Sequence, residues 1–131
     1  MIYPLEPSVF IIYCGDNDIP GAETPAQIQG KVHDLVSLAR RFYPTTPIAY
    51  ISIKPSPARA AFLTKMNETN TLIQKDLETS FQDVTFINVV PLMLLPNGQP
   101  NPDIFGPDKL HMNREGYLIW IKVITEYLAS I

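Results

Sequence analysis

Apolar positions in this chain alternate between short unbroken runs and longer periodic stripes. Val9-Phe10-Ile11-Ile12-Tyr13 is an unbroken run rich in β-branched and aromatic residues. It predicts a strand buried on both faces, the parallel-sheet type. Gly15 stops it. Thr24-Pro25-Ala26-Gln27 predicts a helix start, with Thr as N-cap, Pro at the first position and Gln three residues after the cap. Ile28, Val32, Leu35, Val36, Ala39 and Phe42 follow at helical spacing. Residues 47–53 predict a second strand, and Ser56-Pro57 opens a second helix by the same capping logic. Its stripe is Phe62, Met66, Thr69, Asn70, Ile73 and Leu77, where Asn70 puts a polar group on a core face and must find partners. Residues 84–88 predict a third strand. Asn113 caps a last helix with Tyr117, Trp120, Ile121, Ile124 and Leu128 on one face.

The order strand–helix–strand–helix–strand–loop–helix predicts right-handed crossovers and a parallel sheet with helices on both faces. The expected architecture is a flavodoxin-like three-layer α/β/α fold, one domain over residues 1–131, with three strands and three to four helices. The stretch from Val89 to Leu110, with Asn97-Gly98 as a turn, is longer than an idle connection usually is.

Composition narrows the function classes. A net charge of −3 argues against nucleic acid or an anionic membrane as the main partner. The basic doublet Arg40-Arg41 closes a predicted helix, where cations favour the negative dipole end. The single Cys14 excludes an intrachain disulfide and reads as a small buried hydrophobe. No basic n-region or long apolar h-region follows Met1, so no signal peptide is expected and the default compartment is the cytoplasm. No run is long enough to span a bilayer. Gly-rich phosphate loops are absent and no second His or Cys stands at metal spacing, so neither cofactor nor metal is expected. His33 reads as a solvated helix-face histidine.

The candidate chemistry lies in two tetrads, Gly15-Asp16-Asn17-Asp18 and Asp108-Lys109-Leu110-His111. In open parallel sheets, ligands bind beyond the carboxyl ends of the strands. Asn17 follows the first strand; Asp108 and His111 follow the third. All three are predicted on one rim. His111 suits a general base because its ordinary pKa lies near neutrality. Asp108 suits the group that orients it, and Asn17 suits a donor to a developing oxyanion. Asp103 could replace Asp108, Asp16 and Asp18 could be plain turn residues, and Asp108-x-x-His111 could be a capped loop. Tyr117 and Trp120 read as core.

The two tetrads resemble blocks of the SGNH (GDSL-type) hydrolases: Gly-x-Asn-Asp, and Asp-x-x-His continued by Met112-Asn113-x-x-Gly116-Tyr117. Ser52 to Arg59 resembles the segment after the next strand in bacterial GDSL-type acylhydrolases. The resemblance covers essentially the whole chain. It implies hydrolysis of small-molecule carboxylic esters, with Asn17 as oxyanion donor and Asp108 and His111 as triad members. Family members begin with a strand ending in Gly-Asp-Ser. The serines here are Ser8, Ser37, Ser52, Ser56, Ser80 and Ser130, and none lies in such a motif. Ser56, the nearest candidate, reads as an N-cap before Pro57. The chain is therefore expected to be an N-terminally truncated, C-terminal portion of such a hydrolase, without the nucleophile. It is also expected to have Val9–Tyr13 as a sheet edge open to self-association, or to be an inactive remnant that binds through that edge.

Overall fold

The computed structural model describes residues 8–131. Three strands, β1 (Phe10–Ile12), β2 (Ile48–Ile51) and β3 (Val84–Ile87), form one sheet in the order β1-β2-β3. Both pairings are parallel, with Phe10 opposite Ile48 and Tyr50 opposite Phe86. Helix α1 (Pro25–Phe42) joins β1 to β2, and α2 (Leu63–Ser80) joins β2 to β3. Both crossovers step the same way along the sheet, so equal handedness puts both helices on one face. Helix α3 (Arg114–Ser130) covers the other. The expected three-layer α/β/α arrangement is what the chain forms.

Two apolar clusters follow from strand alternation. Ile48 and Tyr50 of β2 point to one face and pack with Ile28, Val32 and Val36 of α1 and Met66, Ile73 and Leu77 of α2. Ile51 points to the other face and packs with Val89, Met93, Ile104, Phe105 and Met112, against which Trp120, Val123 and Ile124 of α3 lie. Thr24 caps α1 with the expected reciprocal pair: its hydroxyl accepts from the Gln27 N–H, and Gln27 Oε1 accepts from the Thr24 N–H.

Four expectations change. Strand β1 is not buried on both faces: Ile11 is 38% exposed, because β1 has no outer neighbour among the described residues and only β2 is buried throughout. The second helix does not start at Pro57. Residues Pro57–Phe62 form a 3-10 segment broken at Arg59 (φ −117°, ψ 24°), and the α-helix begins at Leu63. On α3, Tyr117, Ile121 and Leu128 are exposed, while Gly116 and Tyr127 are buried and Ile119, Trp120, Val123 and Ile124 line the core. Stripe residues Leu35 and Phe42 of α1 are exposed as well. No described helix is long and apolar enough to cross a membrane.

Candidate active site

Both tetrads lie beyond the carboxyl ends of the strands. After β1 the chain turns at Gly15, whose φ of +103° is open to glycine and costly for other residues. A Cβ there would also sit 3.1 Å from Ile53 Cδ1. The turn leads into a short 3-10 helix, Asp16–Asp18, which leaves Asn17 exposed.

The second tetrad is built locally. A turn closes with the Lys109 N–H donating to Gly106 O at 3.0 Å, and Lys109 takes φ +58°. Asp108 Oδ1 accepts from the backbone N–H groups of Leu110 (3.0 Å) and His111 (2.9 Å). Asp108 Oδ2 lies 2.6 Å from His111 Nδ1. The imidazole contact, joined by the two backbone N–H groups, holds the Asp108 carboxyl well below the usual carboxylate range. Asp103 does not take this place. Its backbone oxygen accepts from Asn113 Nδ2 and its N–H donates to Asn101 Oδ1, and it makes no contact with His111. With Nδ1 committed to Asp108, Nε2 is the ring nitrogen left to exchange a proton.

Asn17 and His111 line one cavity of about 500 Å³, together with Tyr13, Cys14, Gly15, Asp16, Asp18 and Lys54. A hollow of similar size on α2, about 520 Å³, is walled by Thr64, Asn67, Glu68, Thr71 and Leu72 and pairs no base with an orienting group. Of these two, only the first brings an imidazole with a bound carboxylate to its wall. Cys14 faces it, but burial pushes its thiol up, and the charge of Asp18 adds to that, so it stays protonated.

Two residues that line this cavity, Lys54 and Asp16, belong to a charge cluster with Arg59. Lys54 Nζ is 3.0 Å from Asp16 Oδ2, and Arg59 Nη1 is 2.7 Å from Asp16 Oδ1. Their side chains are 7%, 16% and 13% exposed for Lys54, Arg59 and Asp16, so this is a largely buried pair of cations around one carboxylate. Asp16 is thus an ion-pair anchor, not a plain turn residue. The Lys54 ammonium lies 5.5 Å from the centre of the Tyr13 ring. Burial, and then Asp16, push the Tyr13 phenol far up, and its oxygen faces the Lys54 N–H and Nζ, each at 3.5 Å. A segment that carries two cations within eight residues of the end of β2, facing a Gly-Asp turn on the same rim, is the sequence signal for this cluster.

The segment after β2 also touches the second tetrad, because the Ala58 N–H donates to Lys109 O at 2.9 Å. It is held in turn by Asn70, whose Oδ1 accepts from the Ile53 N–H (2.9 Å) and whose Nδ2 donates to Ile53 O (3.0 Å). That is the partner set its place on the core face required. Ser56 is fully buried and its hydroxyl caps nothing, which corrects the N-cap expectation and also keeps it from an attacking role. His33 is more than a solvated face residue: its Nδ1 lies 2.8 Å from Asp76 Oδ2, tying α1 to α2. Trp120 is core, edge-on to Tyr13 at 4.9 Å.

Comparison with known proteins adds the lineage. Solved structures of similar fold include a protein of Streptococcus pneumonia whose name refers to platelet activating factor. It superposes with a TM-score of 0.82 at 23% identity, over 97% of this chain and 62% of its own. A GDSL-like lipase of Bacteroides thetaiotaomicron gives 0.78 at 20% identity, over 95% and 63%. A carbohydrate esterase family 3 protein of Talaromyces cellulolyticus gives 0.74 at 17%, over 95% and 58%. At these identities the likeness shows the fold alone, and the chain spans less than two thirds of each of these proteins. No curated protein matches the sequence. The family model for the GDSL-like Lipase/Acylhydrolase family matches residues 3–119, nearly the whole chain. The chain therefore belongs to the GDSL-like lipase/acylhydrolase family.

Proposed function

We propose that this chain carries the base, its orienting carboxylate and an oxyanion donor of an SGNH-type ester hydrolase. The nucleophilic serine comes from a Gly-Asp-Ser block that this sequence does not contain. The observation that carries the reading is the shared cavity: Asn17 and His111 line it together, and Asp108 holds His111 Nδ1 at 2.6 Å. In this reading the serine hydroxyl gives its proton to His111 Nε2 as its oxygen attacks the ester carbonyl. Asp108 stabilises the imidazolium, and the Asn17 amide donates to the tetrahedral oxyanion. The oxyanion collapses to expel the alcohol, which takes the proton from His111. Water then repeats the steps on the acyl-serine. The substrate class is small or lipid-like carboxylic esters.

The test is to read the coding DNA upstream of the Met1 codon and assay the polypeptide it encodes. An in-frame Gly-Asp-Ser run, with p-nitrophenyl acetate turnover abolished by His111→Ala, is the expected result. The chain of 131 residues alone should show only background turnover, since loss of the nucleophile costs on the order of 10⁶. A stop codon upstream, with no His111-dependent turnover, would leave the second reading. In that reading the chain is a non-catalytic module that associates with a second copy through the outer edge of β1. What favours it is the 38% exposure of Ile11 on that edge.

A further inference from the structure

A side-chain amide can serve an oxyanion only if its N–H end, not its oxygen, faces the reaction. Rotating an Asn amide by half a turn exchanges the two ends with little change in shape, so the surrounding hydrogen bonds must decide. Asn17 is exposed on a three-residue 3-10 helix, and Nδ2 has no partner among the described residues. Its packing therefore selects neither orientation.

Resting on Asn17 as the oxyanion donor, we propose that Arg59 is a positioning residue that holds the Asn17 amide with its N–H end free for the cavity. Arg59 Nη2 lies 3.5 Å from Asn17 Oδ1. That distance is at the limit of a hydrogen bond, so the weight of the contact is in what it forbids. A guanidinium has five donors and no acceptor. Turning the amide over would set N–H against N–H beside a full positive charge.

Two neighbours, Asp16 and Ser56, hold Arg59 in place. The natural rival acceptor for the Asn17 N–H groups is the adjacent carboxylate of Asp16. Its Oδ2 accepts from Lys54 Nζ at 3.0 Å, and its Oδ1 is ion-paired with Arg59 Nη1 at 2.7 Å without a hydrogen bond between them. Asp16 thus holds the guanidinium beside the Asn17 amide oxygen. Arg59 is held from the other side by its backbone. Its N–H donates to Ser56 O at 3.0 Å, in the segment that Ala58 ties to Lys109. The same six residues therefore set the oxyanion donor and brace the turn that carries His111. The charge of Arg59 also polarises the amide through its oxygen, which makes the N–H a stronger donor.

The test uses the full 15N-labelled chain and needs no turnover. The Asn17 side-chain amide is followed by NMR through its 15N order parameter and its two proton shifts. In the wild type the order parameter should exceed about 0.6, the boundary of flexible groups. In Arg59→Met it should fall below that boundary, with the two proton shifts moving together toward solvent-exposed values. Arg59→Lys, which keeps a donor without the fork, should restore part of the order. Ile73→Val, a core change at a residue that does not line the cavity, should lower stability and leave the amide signals in place. Should Arg59→Met fail to fold, Asp16→Asn frees the guanidinium and should give the same loss of order. A mobile Asn17 amide in the wild type, or an unchanged one in Arg59→Met, overturns the proposal. A silent esterase assay would not, and a mobile amide would sink this proposal even beside a working esterase.

Discussion

Asp108 accepts three hydrogen bonds within its own turn, and that is why Asp-x-x-His was legible from sequence. The contacts reach only two and three residues ahead, so local backbone geometry makes them. They also fix an acid-side prediction. A carboxyl held below its unfolded value of about 3.9 contributes stability above that pH and loses it as pH falls through the lower, folded value. Asp108 should therefore titrate, by carboxyl 13C NMR, clearly below about 3.9. His111→Ala removes the largest cause and should bring the midpoint back up, with the two backbone donors keeping part of the depression. A wild-type midpoint at or above the ordinary value would contradict the geometry. The Lys54–Asp16–Arg59 cluster was not legible, because its contacts join residues 38 and 43 apart in sequence and exist only once two loops meet. Gly15 gives a second residue-level expectation. Gly15→Ala meets both the positive φ and the Ile53 side chain, whereas Gly98→Ala, at φ +84°, meets open space. Both should lose about 1–2 kcal/mol to backbone strain in urea unfolding, with Gly15→Ala losing more. Equal losses would mean that Ile53 yields freely.

Among the elements, the stretch after β2 does the most to assemble the cavity, and Asn70 of α2 holds it. Asn70 was visible in sequence as a polar break in an apolar stripe; that it would clasp both backbone groups of Ile53 was not. Asn70→Leu leaves a buried N–H and C=O without partners and should cost about 2–4 kcal/mol in urea unfolding. A loss under about 0.5 kcal/mol would show that water or the loop itself satisfies Ile53. Periodicity misplaced the buried face of α3 for a plain reason. The helix is apolar over most of its circumference, so the stripe through Tyr117 and Ile121 and the one through Ile119, Trp120, Val123 and Tyr127 both fit a helical period. The close approach at Gly116 chooses between them. A Cβ there would lie 2.5 Å from Ile104 O, so Gly116 must face inward. Gly116→Ala should cost about 3 kcal/mol and shift α3 signals in 15N spectra.

At the scale of the molecule, alternation of runs and stripes was enough to give the parallel sheet, its two helical layers and the shared rim. It could not give exposure at β1, because an unbroken apolar run looks the same at an edge as in the middle of a sheet. If β1 pairs with a second copy, the weight-average mass by light scattering should rise with concentration, and Ile11→Lys should hold it at the monomer value. A wild-type mass that stays monomeric over the whole range would remove the edge-pairing reading.

The hydrogen bond from Ala58 to Lys109 has a consequence for the order in which the molecule is made. Asn17, Lys54 and Arg59 leave the ribosome well before His111, separated from it by α2, β3 and the long loop. At about 5–20 residues per second that interval is roughly 3–10 s. The Lys54–Asp16–Arg59 cluster, with Asn70 of α2 to hold its loop, can take shape in that time. The turn bearing the imidazole then docks on a surface already laid out, and in the proposed reading the base is the last of these residues to arrive.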